Sequence, residues 1–132
     1  MIVDTSAMVA IALNESGRDR LVDALLAAPE PKISAATLVE LSAVLVRRLA
    51  PEDLRRVERL ISQLGITTVS FDAEQAMIAA RAYREFGRGS GHLAGLNLGD
   101  CYSYALAAAT GEPLLFVGDD FTHTDIPCAA LD

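Results

Sequence analysis

Basic side chains are missing from the last quarter of the 132-residue chain. After Gly99 there is no Lys or Arg, while Asp100, Glu112, Asp119, Asp120, Asp125 and Asp132 give residues 100–132 a formal charge of −6. Residues 1–99 balance to −1, so nearly all of the net charge of −7 lies at one end. A run of acids usually marks a solvated tail. That reading is excluded here by Cys101-Tyr-Ser-Tyr-Ala-Leu-Ala107 and Pro113-Leu-Leu-Phe-Val117, which are too apolar for a tail. The acids therefore belong to folded structure.

Cysteine is scarce too. Cys101 and Cys128 lack metal-ligand spacing and read as reduced thiols of a cytoplasmic chain. Long hydrophobic runs are absent: residues 36–45 and 101–109 fall well short of the ~20 that cross a bilayer, and Glu40 interrupts the first. Met1-Ile-Val-Asp4 has no basic leader, so neither a membrane span nor export is expected. Aromatic residues make up only 5% and tryptophan is missing, yet 52% of the chain is hydrophobic, which excludes disorder. A chain of this length buries roughly two-thirds of its unfolded surface around one core. A single domain over 1–132 is expected, without a disulfide or metal to staple it.

The apolar pattern predicts short strands at 2–3, 32–34, 66–69 and 114–117. Between them it predicts helices at 7–13, 18–28 and 37–49, one starting at Pro51 and stopped by Gly65, one running from a cap at Asp72 to Phe86 with Gln75 completing a capping box, and one at 100–110. Five glycines between Gly87 and Gly99 mark a loop. There is no internal repeat. Such alternation indicates a three-layer α/β/α fold around a small, mainly parallel sheet.

In open parallel sheets ligands bind beyond the carboxyl ends of the strands, and that rule sorts the acids. Asp4 follows the first strand, Glu40 lies in the helix after the second, Asp119 and Asp120 follow the last, and Asp100 opens a helix after the glycine loop. Carboxylates converging on one rim cannot all stay ionised without a compensating cation. Their hard oxygens favour Mg²⁺, with Mn²⁺ as a substitute, over zinc. Asp4 and Asp100 also stand where plain helix caps would. Glu40 does not, since it interrupts an apolar helix where an unpaired carboxylate is costly.

The order of these segments resembles the PIN-domain ribonucleases, and within them the VapC toxins of toxin–antitoxin pairs. Met1-Ile-Val-Asp-Thr-Ser-Ala-Met-Val-Ala10 is similar to the family's first motif and Ser34-Ala-Ala-Thr-Leu-Val-Glu40-Leu to its second. Leu96-Asn-Leu-Gly-Asp100-Cys-Tyr-Ser-Tyr-Ala-Leu-Ala is similar to the third, and Pro113-Leu-Leu-Phe-Val-Gly-Asp-Asp-Phe-Thr-His-Thr-Asp125-Ile to the fourth. The resemblance implies metal-dependent cleavage of RNA, with Asp4 and Asp100 on the metal, Glu40 in support, and Asp119 or Asp120 as the fourth acid. It implies hydrogen-bonding roles for Thr5 and Ser6, a homodimer, and a VapB-like antitoxin that places a basic side chain among the acids.

Strand alternation and closeness to the strand end put Asp119 ahead of Asp120 as that fourth acid. Arg88, beside the glycine loop, is the first candidate for a phosphate contact. Arg47/Arg48, Arg55/Arg56/Arg59 and Arg81/Arg84 could flank the cleft but read at least equally as solvated faces, and for His92 and His123, near the acidic motifs, a surface or phosphate-contacting role stands level with catalysis. Two other functions compete. Phe116-Val-Gly-Asp-Asp120 resembles the last acidic motif of haloacid-dehalogenase-type phosphatases, but Ser6 stands where that chemistry wants a second acid. The other competitor is a catalytically silent PIN-like binding module, against which the presence of all four acids counts.

Overall fold

The structure, a computed structural model, describes residues 1–131; Asp132 lies outside them. In chain order the elements are β1 (Ile2–Val3), α1 (Thr5–Ala12), α2 (Arg18–Ala27), β2 (Lys32–Ser34), α3 (Ala35–Val46), α4 (Pro51–Gln63), β3 (Thr67–Val69), α5 (Ala73–Phe86), α6 (Leu98–Thr110) and β4 (Leu114–Leu115), followed by a 3₁₀ turn over Asp120–His123. The four strands form one parallel sheet in the order β3-β2-β1-β4.

A two-residue strand can organise two faces because successive side chains point in opposite directions. Ile2 and Val3 are both fully buried. Ile2 joins a cluster with Ala79, Ala82 and Phe86 of α5 and Leu106 of α6, whereas Val3 joins Met8, Ile11, Leu21, Leu25, Leu41, Leu45 and Val57 from α1 to α4. Leu114 and Leu115 divide between the same clusters. Helices α1 to α4 thus cover one face and α5 and α6 the other, giving the expected three layers. Each fully buried Leu or Ile contributes roughly 1.5–3 kcal/mol.

The strand order fixes where a site can form. The chain steps outward from β1 to β2 to β3, then returns to place β4 on the opposite side of β1. The reversal opens a crevice beyond the carboxyl ends of β1 and β4, the switch point at which parallel sheets bind ligands.

Several boundaries differ from those the pattern predicts, each through a cap or a turn. Helix α1 begins at Thr5 rather than residue 7, because the Asp4 side chain accepts the Ser6 N–H. Helix α3 is shifted to Ala35–Val46 by a cap at Ser34, whose hydroxyl accepts the Ala36 N–H at 3.2 Å. Helix α6 starts at Leu98, so Asp100 does not open it: Asn97 is the cap, and Asp100 completes a capping box one turn in. At α5 only half of the expected box forms. Asp72 accepts the Gln75 N–H, while the Gln75 amide donates to the Ser70 carbonyl instead. Strand β4 stops at Leu115, two residues short of the prediction, and the Val117 N–H donates to Ser6 Oγ at 3.0 Å.

Candidate active site

Asp4 leaves β1 at the crevice and is only 2% exposed. Its Oδ2 accepts both the N–H and the hydroxyl of Ser6, at 3.0 and 2.7 Å, and its Oδ1 accepts the Ser103 hydroxyl at 2.6 Å. Burial of a carboxylate is tolerated when donors satisfy it in this way. Ser6 also accepts the Val117 N–H, so one hydroxyl ties Asp4 to the chain leaving β4.

Glu40 reaches the same crevice from α3, and Thr5 donates its hydroxyl to Glu40 Oε1. Its carboxyl lies against the backbone of Gly99, where any Cβ would overlap it. Burial raises the Glu40 pKa, the Thr5 hydrogen bond opposes the rise, and the charge of Asp4 adds to it.

Asp100 comes from the first turn of α6. Its Oδ2 accepts the Asn97 N–H at 3.0 Å, and the residue is 8% exposed. Burial is the main reason its pKa is pushed up to about 7. The Asn97 backbone opposes this, and the charges of Asp4, Asp120 and Glu40 reinforce it. Four of the predicted acids therefore share one electrostatic environment. No ion pair among the described residues reaches any of them; the pairs present join Glu112 to Lys32 and the chain's amino group, Arg18 to Asp19, and Arg56 to Asp53.

Asp119 and Asp120 are both exposed, and the charge of Asp120 adds to the rise at Asp100. Alternation of side chains would reach Asp119 only along a strand extended to Val117. The strand ends two residues earlier, and Gly118, at φ +104°, turns the chain through the left-handed region, so parity along the strand no longer predicts direction. Asp119 precedes the 3₁₀ turn, and its carbonyl accepts from the N–H and hydroxyl of Thr122. Arg88 is exposed at the base of the glycine loop, where its N–H donates to the Leu96 carbonyl. His92 and His123 are also exposed.

Sequence reasoning missed Thr37, Ser103, Asn97 and Gly99. Thr37 and Ser103 are fully buried and share a hydrogen bond of 3.2 Å behind Asp4. Thr37 lies three residues before Glu40 and Ser103 three residues after Asp100, the spacing that places side chains on one helical face. A polar residue at that spacing inside an apolar run is the signal that could have found them. A cleft of about 460 Å³ borders Glu40, between Val39, Leu98, Gly99 and Tyr102. A larger one, about 860 Å³ and lined by Ile11, Arg18, Arg56 and Arg59, holds none of the four acids.

Buried, hydroxyl-held carboxylates at the switch point of a parallel sheet agree with the comparison to known proteins, in which the PIN domain family matches residues 1–127. This chain belongs to the PIN-domain family. It stands among the family's VapC ribonucleases. Ribonuclease VapC42 of Mycobacterium tuberculosis is 60% identical over 126 residues, 96% of each chain, and Ribonuclease VapC30 of the same species is 40% identical over 131 residues, 99% of each. The fold matches that of VapBC2 from Rickettsia felis, solved bound to a DNA fragment from its promoter, with a TM-score of 0.77 at 15% identity over 99% of this chain and 98% of that one. It also matches a toxin–antitoxin complex from Klebsiella pneumoniae, with a TM-score of 0.69 at 20% identity over 94% and 92%. Neither the phosphatase reading nor the silent binding module is favoured by this membership.

Proposed function

We propose that this chain is the toxin of a toxin–antitoxin pair that hydrolyses RNA phosphodiester bonds, using a hard divalent cation, Mg²⁺ or Mn²⁺, held by Asp4 and Asp100. The observation that carries the reading is the gathering of Asp4, Glu40, Asp100 and Asp120 with no basic partner among the described residues; burial first, and then the charges of the other three, push Asp100 up to about 7. Like charges brought together in this way call for a cation. Among the described residues no three His, Cys, Asp or Glu side chains stand close enough to encircle an ion. Mg²⁺ does not need that, because it keeps several waters and is held by one or two carboxylates together with substrate phosphates. The donor set fits.

Such a cation, when bound, neutralises developing charge and acidifies a coordinated water. The protein's part is placement. Ser6 and Ser103 hold the Asp4 carboxylate, Asn97 holds that of Asp100, and Thr5 holds Glu40 where it can orient the attacking water by hydrogen bonding. Water adds to phosphorus, the P–O3′ bond breaks, and a 5′-phosphate and a 3′-hydroxyl result. Asp120 stands on the rim as the fourth acid. Thr5, Ser6 and the exposed Arg88 are the groups we assign to the substrate side, with Arg88 contacting phosphate.

The functional unit is one PIN-like domain over residues 1–132, working in the cytoplasm as a homodimer. Among the described residues no helix is long and apolar enough to cross a membrane. A VapB-like antitoxin would silence it by placing an Arg among the carboxylates, replacing the cation and excluding RNA. Expression with and without the neighbouring reading frame, followed by sequencing of new RNA 5′ ends, tests the proposal. New 5′-phosphate ends that appear only without the antitoxin, and vanish with Asp100→Asn, are expected; an unchanged RNA population overturns it.

A further inference from the structure

Asp4 is surrounded by more hydroxyl groups than a helix cap needs, and counting their protons shows what they do. A carboxylate offers about four lone-pair sites, two on each oxygen. On Oδ2 both are used, by the N–H and the hydroxyl of Ser6. On Oδ1 one is used, by Ser103. Ser103 has a single hydroxyl proton and gives it to Asp4, so in its 3.2 Å contact with Thr37 it must be the acceptor and Thr37 the donor. The result is a directed chain, Thr37 to Ser103 to Asp4, running from α3 through α6 to the end of β1. Thr37 and Ser103 are both 0% exposed, so no solvent exchange competes with it.

We propose that Ser103, backed by Thr37, is a positioning residue that locks the Asp4 carboxylate with one lone pair, on Oδ1, left for a ligand. Asp4 would then offer one oxygen rather than both to a cation, as Mg²⁺ would require of a carboxylate that shares it with waters. The same two residues also tie the geometry together. Thr37 is one helical turn from Glu40 and Ser103 one turn from Asp100, so their hydrogen bond holds the two helices that carry those acids in register behind the site. A merely structural polar pair would stabilise the core without concern for which way Asp4 faces.

This inference rests on Asp4 being a cation ligand, and the test separates the two claims. Mn²⁺ binding to the purified full chain is followed by electron paramagnetic resonance, beside thermal melts of each variant. Ser103→Ala is expected to weaken Mn²⁺ binding roughly 10–100-fold, as loss of a hydrogen-bond partner of a metal ligand does. Thr37→Val, which keeps the shape but not the hydroxyl, should weaken it by less, and Thr37→Ser should restore it. In RNA cleavage the Mn²⁺ concentration giving half activity rises, while the rate at saturating Mn²⁺ is retained. If Ser103→Ala does not fold, the Thr37→Val and Thr37→Ser pair decides. Folded variants that bind Mn²⁺ as the unmodified chain does overturn the positioning role and leave the metal site standing. Binding that is undiminished in Asp4→Asn overturns the metal site and the positioning role with it.

Discussion

Replacing Asp100 with Asn should destroy function and yet stabilise the metal-free protein. The residue's pKa is pushed from an ordinary 3.8 to about 7, first by burial and then by Asp4, Asp120 and Glu40, so its ionised form is disfavoured in the folded chain. The folded state therefore holds a proton that the unfolded state has lost. Stability falls as pH rises from about 4 to about 7 and is flat above, because beyond the folded pKa both states are ionised. Three pH units correspond to about 4 kcal/mol at most. Solvent screening at the mouth of the crevice reduces this to about 2 kcal/mol.

Asn removes the charge but still offers an oxygen to the Asn97 N–H, so the capping box survives. In excess EDTA near pH 8, Asp100→Asn is expected to melt roughly 5–10 °C above the unmodified chain. At about pH 5 the folded Asp100 is neutral but the unfolded one is already ionised, so the difference should shrink to roughly 40% of its value near pH 8. Calorimetry at both pH values checks this, and saturating Mg²⁺ should narrow the gap by stabilising the unmodified chain alone. A variant no more stable near pH 8, or a gain undiminished at about pH 5, would refute the electrostatic account of the site.

Asp120→Asn is expected to reduce cleavage at limiting Mg²⁺ more than Asp119→Asn; the reverse order would return the fourth role to Asp119. Gly99→Ala must expel the Glu40 carboxyl and break its bond to Thr5, so cleavage should fall about 10–100-fold. The same change adds a better helix former worth up to about 1 kcal/mol, so a thermal melt should show the protein intact, and full activity would remove Glu40 from the mechanism. Analytical ultracentrifugation should find a dimer, and the purified complex with antitoxin should not cleave; a monomer at all concentrations or undiminished cleavage would remove each claim in turn.

The acids were legible in the sequence because their positions follow from topology alone. Asp4 and Glu40 each follow a strand of two or three residues, and a parallel sheet sends every such strand end to the same rim. Asp100 was placed correctly on α6 but one turn too early, since an Asp after a glycine loop looks like a cap when the real cap, Asn97, stands three residues ahead of it. Side-chain alternation does not choose between Asp119 and Asp120, because it holds only inside a strand and β4 ends at Leu115. What stayed hidden is the layer behind the acids. Ser103 and Asp4 are 99 residues apart and Thr37 and Ser103 are 66 apart, so no local pattern joins them. Yet it is these hydroxyls, with Ser6, that let Asp4 be buried at 2% exposure, where a carboxylate without donors would cost several kcal/mol. Asp100, whose carboxylate accepts one backbone N–H, is the acid whose pKa rises to about 7. Asp4 is thus held by hydroxyl protons from α1 and α6, backed by Thr37 of α3, a property of helix packing that a reading of acid positions does not contain.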